Sequence, residues 1–262
     1  MARLMLVAAA VAVVVVVAAS GAAAQPTPPL PQFTEALKAL YMNTHGDHWT
    51  NNDGWLKSDD YCTWHGINCP IHNHTIITDI MLSNNNLTGT IPAIFPEIFT
   101  LKTLDLSHNS IEGQLPANFA EIVPLQIINL QFNQITGTLP ANIANVSTNW
   151  PSLKEINLFN NKLTGTIPES LFGPATLPVF HPRFNLQVFD VHNNMLTGPI
   201  PSRASRAALM TTFLLNDNDM SGTIPAEIDT WLLGLKYCSL DGNKWACPVP
   251  EDVSDKCQAY CS

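Results

Sequence analysis

The residues of this 262-residue chain best equipped for chemistry are its six cysteines and eight histidines. The cysteines form two groups, Cys62 and Cys69 near one end and Cys238, Cys247, Cys257 and Cys261 near the other, with none between. Such thiols either bind metal or pair as disulfides, and an exported chain meets an oxidising compartment that favours pairing. The four distal cysteines allow three pairings; Cys247–Cys257 with Cys238–Cys261 is the favoured expectation, and the other two stay open. Five histidines fall between His45 and His74, but no H-E-x-x-H or evenly spaced Cys/His pattern arranges them as metal ligands. The chain also lacks G-x-S-x-G, a P-loop and G-x-G-x-x-G. No catalytic residue, metal ligand or cofactor is expected, and the chain is not expected to be an enzyme.

Charge narrows the partners. Lys and Arg number 12 against 21 Asp and Glu, a formal net charge of −9. Binding to a nucleic-acid backbone draws on clustered basic residues, so nucleic acid is excluded as an expected partner. Residues 1–24 read as a secretory signal: Arg3 supplies the positive start, Leu4 to Ala19 the apolar stretch, and Ala22-Ala23-Ala24 the small-residue cleavage site. No later stretch is long and apolar enough for a transmembrane helix. The expected location is secreted or extracellular, in association with the cell surface in one version of that expectation.

The elements that must position any surface site are repeated. Leu104, Leu106, Asn109, Ile111, Gly113, Leu115 and Pro116 recur 24 residues later as Ile128, Leu130, Asn133, Ile135, Gly137, Leu139 and Pro140. In all, the pattern runs from Ile77 to Pro250 in seven copies, the last degenerate, marked by Asn85, Asn109, Asn133, Asn161, Asn194, Asn218 and Asn243. Each x-L-x-L stretch predicts a short strand with one buried face: Ile80 and Leu82 in, Met81 and Ser83 out. One such strand cannot bury its apolar face alone, so copies must stack around a shared core. Each ladder Asn must turn the chain and bond backbone groups of its own and the adjacent copy. The Gly column marks close approach of coils, and the following Pro stops regular strand pairing. Phe95, Ile98, Phe119, Ile122, Ile143 and Val146 should pack the return side. The period stretches in two places, near Thr148 to Pro151 and Gly173 to Asn185, which are expected to loop out.

The pattern L-x-x-L-x-L-x-x-N-x-L-x-G-x-I-P resembles the leucine-rich repeat, and its G-x-I-P continuation resembles the plant-type extracellular subclass. The resemblance implies an α/β right-handed leucine-rich repeat solenoid with a parallel concave sheet and disulfide-stapled caps at both ends. It divides the chain into a signal peptide (1–24), an N-terminal cap (25–76), six repeats (77–234), and a degenerate seventh repeat with a cysteine-rich cap (235–262). Phe33, Leu37, Leu40 and Tyr41 are spaced as the buried face of an amphipathic helix. The tract from Gly46 to Trp55 and the stretch Cys62 to Cys69 resemble the cysteine-bearing cap of the same family. That resemblance implies a local Cys62–Cys69 bridge, with Trp49, Trp55 and Trp64 covering the first repeat.

The out-facing strand positions form columns. The candidate concave binding face holds Ile127, Asn129, Phe132, Asn157, Phe159, Val188, Asp190, His192 and Leu214, an apolar centre ringed by polar groups. The expected function is recognition of a protein or glycoconjugate partner through that face, in the manner of a surface antigen or adhesin. The resemblance also extends to polygalacturonase-inhibitor-like proteins, to ectodomains of receptor kinases, and to secreted or surface antigens of trypanosomatid protists. Asn73, Asn86 and Asn145 each open an N-x-S/T glycosylation acceptor. All three lie outside the strand columns, which leaves the face clear.

Overall fold

The computed structural model describes residues 30–70, 75–122, 124–141, 152–172, 185–225, 228 and 234–261. Residues 1–24, read above as a secretory signal, together with His72, Asn73, His74, Ile143, Asn145, Val146 and residues 148–151 and 173–184 of the two insertions, lie outside the described residues.

The repeated short strands build two sheets. The longer has eight strands, of which the last seven, from Asp79–Met81 to Tyr237–Ser239, run parallel and come from successive copies. The shorter has seven strands, all parallel, drawn from the stretches after the ladder asparagines. In the long sheet Asp79, Thr103, Ile127, Glu155, Val188, Thr212 and Tyr237 stand side by side, in the register the repeat predicts. The steps from Ile128 to Ile156 and from Ile156 to Phe189 are longer than 24 residues, yet these residues pair directly. The register of the long sheet is thus kept across both stretched copies.

Alternation decides which side is buried. Ile80, Leu104, Ile128, Ile156, Phe189 and Phe213 are sealed in the core with Leu82, Leu106, Leu130, Leu158, Val191 and Leu215. Phe95, Ile98, Phe119 and Ile122 close it from the return side, through single 3₁₀ turns at Phe95–Glu97 and Phe119–Glu121. The ladder takes the predicted form. Asn133 Oδ1 accepts from Ile111 N–H at 2.9 Å, and its Nδ2 donates to the carbonyls of Leu106, Leu130 and Gln131. Asn109, Asn161, Asn194, Asn218 and Asn243 repeat this pattern. Asn85 instead exchanges bonds with the backbone of Asn51, which ties the N-terminal cap to the stack. In coils one to five contact keeps the glycine column free of side chains: at Gly165 a Cβ would lie 2.7 Å from Thr138 Cγ2 of the preceding coil.

Both ends of the stack are covered. The helix Pro31–Asn43 buries Phe33, Leu37, Leu40 and Tyr41, as its spacing requires. Tyr41, Trp49, Trp55 and Trp64 follow in a chain of ring contacts at 5.2, 4.8 and 4.9 Å. Their indole N–H groups find carbonyls of Thr44, His65 and Ser58, which satisfies the polar edge of each buried ring. Cys62 and Cys69 are bridged, as the resemblance implied. Ile67–Asn68 pairs antiparallel with Ile80 and Asp79 and so covers the first edge of the long sheet.

At the far end the favoured pairing is corrected. The bridges are Cys238–Cys257 and Cys247–Cys261, not Cys247–Cys257 and Cys238–Cys261. The cause is the helix Glu251–Cys257, whose last residue is buried against the final strand. Leu240 N–H donates to the Cys257 carbonyl at 2.8 Å, which sets Cys257 opposite Cys238. A parallel bridge between Trp245 and Cys261 then brings the chain end alongside Cys247.

One surface contact between coils carries a pH signature. Glu169 accepts from the N–H groups of Ser202 and Arg203 at 2.8 and 3.0 Å, at the start of the 3₁₀ turn Ser202–Arg206. Burial pushes its carboxyl up, but these donors and the Arg203 charge outweigh it, so the net shift is below the ordinary 4.5. A lowered carboxyl stabilises the fold above its unfolded-state value and loses that contribution as pH falls through the folded one. Glu169→Gln should therefore cost about 1 kcal/mol at pH 7, the scale of a lost cap at an exposed site. In paired urea melts the gap between wild type and variant should close below pH 4.5; a gap of constant size down to pH 3 would contradict the assignment.

Candidate functional site

Coils are numbered one to seven by their ladder residues, from Asn85 to Asn243. The residue just before each ladder Asn must reverse the chain at the end of the strand. In coils one to six this residue (Asn84, His108, Phe132, Asn160, Asn193, Asp217) has φ between 51 and 55°. That left-handed conformation is tolerated by Asn and Asp, whose short side chains bond locally, and it disfavours bulky residues. Four of the six positions carry Asn or Asp and one carries His. Phe132 is the exception, held at φ 53° and 42% exposed as a residue. An aromatic residue held in this costly conformation and left partly in solvent marks a candidate surface anchor.

Phe132 belongs to a run of rings. His108 stacks on it with centroids 4.3 Å apart and planes inclined by 20°. Phe159 meets its other side edge-on at 5.1 Å. His192 stacks on Phe159 at 4.4 Å and 14°. The four rings come from coils two to five. His108 and Phe132 precede their ladder Asn by one residue, while Phe159 and His192 precede theirs by two. Two sequence columns thus merge into one rail along the end of the strands.

Beside the rail lies a row of oxygen-bearing side chains. Asp105, Asn129, Asn157 and Asp190 are register partners in the long sheet, one from each of the same four coils. Asp105 Oδ1 accepts from Ser107 N–H and Oγ at 3.0 and 2.6 Å. Asp190 does the same with His192, whose Nδ1 lies 2.6 Å from Oδ1 and whose backbone N–H lies at 3.2 Å. Asp190 is 7% exposed. Burial pushes its carboxyl above the ordinary 3.8, and the bonds to His192 pull it partly back. The Oδ1 of Asn129 is buried with no partner, an acceptor that the fold itself leaves unused.

The structure thus brings Phe132, Phe159, His192 and Asp190 into contact or near-contact, with Asn129 and Asn157 in the adjacent row. Ile127 and Val188 sit farther along the strands, separated by Glu155. Leu214 pairs with Asp190 one coil beyond the rail. The face is therefore an aromatic rail with an acceptor row rather than an apolar centre inside a polar ring. His108 and Asp105 join it without having been singled out from sequence. Their signal was available: both occupy the same positions in coil two that Phe132 and Asn129 occupy in coil three. Tyr237, 65% exposed at the end of the Ile127 column, was also passed over. Asn86 is exposed in coil one, its amide donating to the His48 carbonyl of the N-terminal cap. Among the described residues no cluster of three or more His, Cys, Asp or Glu could hold a metal ion, and no helix is long and apolar enough to cross a membrane.

Comparison with known proteins agrees with the repeat fold. Residues 77–135 match one leucine-rich repeat model, and residues 152–173 and 185–206 match another. A 67-residue stretch is 40% identical to the receptor-like kinase TMK2 of Arabidopsis thaliana, covering 24% of this chain and 7% of that protein. A 76-residue stretch is 36% identical to TMK4 of the same plant, covering 29% and 8%. The matched stretches thus span less than a tenth of the length of these curated relatives. Among solved structures, that of PEPR1-AtPEP1 superposes with a TM-score of 0.71 at 25% identity, covering 86% of this chain and 30% of that one. Pollen receptor kinase 3 superposes at 0.65 and 26%, covering 87% of this chain and 100% of that one.

Proposed function

We infer that this leucine-rich repeat chain is an extracellular recognition module that binds a protein partner along the rail His108–Phe132–Phe159–His192. The observation that carries this is Phe132, an exposed aromatic kept in a left-handed turn where Asn serves the neighbouring coils. Aromatic anchors ringed by polar groups are the usual source of interface affinity. The likeness in fold to PEPR1 and pollen receptor kinase 3 supports a receptor-ectodomain kind of role. Three cysteine bridges in the described chain fit an oxidising, extracellular setting. A surface antigen, an adhesin or a glycanase inhibitor would use the same face on a different partner, and a glycoconjugate would meet the same rings.

The test is capture. The disulfide-bonded chain, immobilised and exposed to medium from its own source, should retain a partner identifiable by mass spectrometry. The double variant Phe132→Ala/Phe159→Ala should lose at least nine-tenths of that partner while its far-UV circular dichroism stays unchanged. Full retention by the double variant would remove the rail from the binding surface.

A further inference from the structure

The chemistry of the rail and its flank specifies the kind of segment that would lie there. The acceptor row Asp105, Asn129, Asn157 and Asp190 places oxygen-bearing side chains side by side on four consecutive coils. Its two carboxylates are held by a hydroxyl, backbone N–H groups and an imidazole, none of them a Lys or Arg. Asn129, between them, has its Oδ1 sealed from solvent without a donor, so the two carboxylates carry the charge of the row. Glu155 and Asp79 add two more carboxylates on the neighbouring column. Among the described residues of these coils, Lys102 and Lys154 precede the strands at the far edge, and Lys162 follows ladder Asn161 with its Nζ donating to Gln134 Oε1; all three lie exposed. Oxygen acceptors beside aromatic rings match one ligand chemistry closely. A guanidinium or ammonium group donates to the acceptors, and its positive charge is also attracted to the faces of Phe132 and Phe159.

We propose that the occupant of this face is a basic, extended polypeptide segment that runs across coils two to five, with arginine or lysine side chains reaching the acceptor row. This rests on the recognition reading above and adds the sign and shape of the ligand. The size is consistent. Four strands about 4.8 Å apart span roughly 14 Å, the reach of about five extended residues. Alternate side chains of such a segment point to one side, so two or three basic residues would meet the row at once.

The test uses blocked eight-residue peptides of alternating arginine–serine, leucine–serine and glutamate–serine, titrated into the full disulfide-bonded chain. The arginine peptide should bind at least tenfold tighter than the other two. Its affinity should fall at least tenfold in Asp105→Asn/Asp190→Asn and at least threefold in Phe159→Ala. It should not change in Glu251→Gln/Asp252→Asn, which alters charge on the distant C-terminal helix. Equal losses in the two charge-neutralised variants would mean attraction to net charge alone and would overturn the proposal. So would tighter binding of the leucine or glutamate peptide, or no binding of the arginine peptide. If the leucine or glutamate peptide binds and Phe159→Ala weakens it, the basic occupant is wrong and the rail stands. If the natural partner's capture also ignores Phe132→Ala/Phe159→Ala, the rail reading falls with it.

Discussion

Asn133→Ala should lower the free energy of unfolding by about 3 kcal/mol or more, a larger loss than its small volume would suggest. The side chain is 8% exposed and serves four backbone groups: the Ile111 N–H and the carbonyls of Leu106, Leu130 and Gln131. Three of these bonds are fully buried. Each typical bond contributes ~1 kcal/mol net, and a buried group left without a partner costs ~1–3 kcal/mol, so the loss sums over several orphans. The effect is also shared between coils, because the donor from Ile111 belongs to coil two and Asn133 to coil three. Asn133→Asp is the informative companion. It keeps the acceptor for Ile111 N–H but turns an acceptor toward three carbonyls, so it should be no better tolerated than alanine near neutral pH. Urea melts followed by far-UV circular dichroism measure both. A loss below 1 kcal/mol for the alanine variant would mean that the ladder is decorative and that apolar stacking alone fixes the coils.

The stack was readable because two short-range rules coincide in every copy. Alternation fixed which side of Ile128-Asn129-Leu130 is buried, and Asn133 marked where the chain must turn. The register of the long sheet followed even across the two stretched copies, since the apolar pairs Ile128, Ile156 and Phe189 tolerate only one alignment. The distal disulfides were not readable. Their pairing is decided by where the helix Glu251–Cys257 docks, a tertiary fact that spacing among four cysteines cannot encode. The candidate face was half readable. Columns gave the residues of each strand, but they treat the strand as straight to its end. The left-handed turn at His108 and Phe132 swings those rings onto the neighbouring column, where Phe159 and His192 already point. Column reading therefore split one rail in two, and it joined Ile127, Val188 and Leu214 to a centre they do not share.

Phe132→Asn should separate the role of the rail from the role of the fold more sharply than removal of any other ring. For an L-residue the left-handed region costs ~1–2 kcal/mol, and Asn suffers least because its side chain bonds locally. Against that relief stand two ring contacts, to His108 and Phe159, each worth ~0.5–1.5 kcal/mol. The two terms nearly cancel, so stability should change by about 1 kcal/mol or less in either direction. Coil four already carries this solution: Asn160 occupies the same turn and bonds to Asn193 of the next coil. Partner binding has no such compensation. The exposed anchor is gone, and affinity should fall at least tenfold. Phe159→Ala provides the contrast, because Phe159 is not among the residues with positive φ and its removal relieves no strain. That variant should lose both binding and about 1–2 kcal/mol of stability, from two ring contacts and the area they cover. Calorimetric melting alongside capture of the partner reads both quantities. A loss of more than 2 kcal/mol in Phe132→Asn would make Phe132 a packing residue. Unchanged capture by the same variant would leave its strained turn without a use.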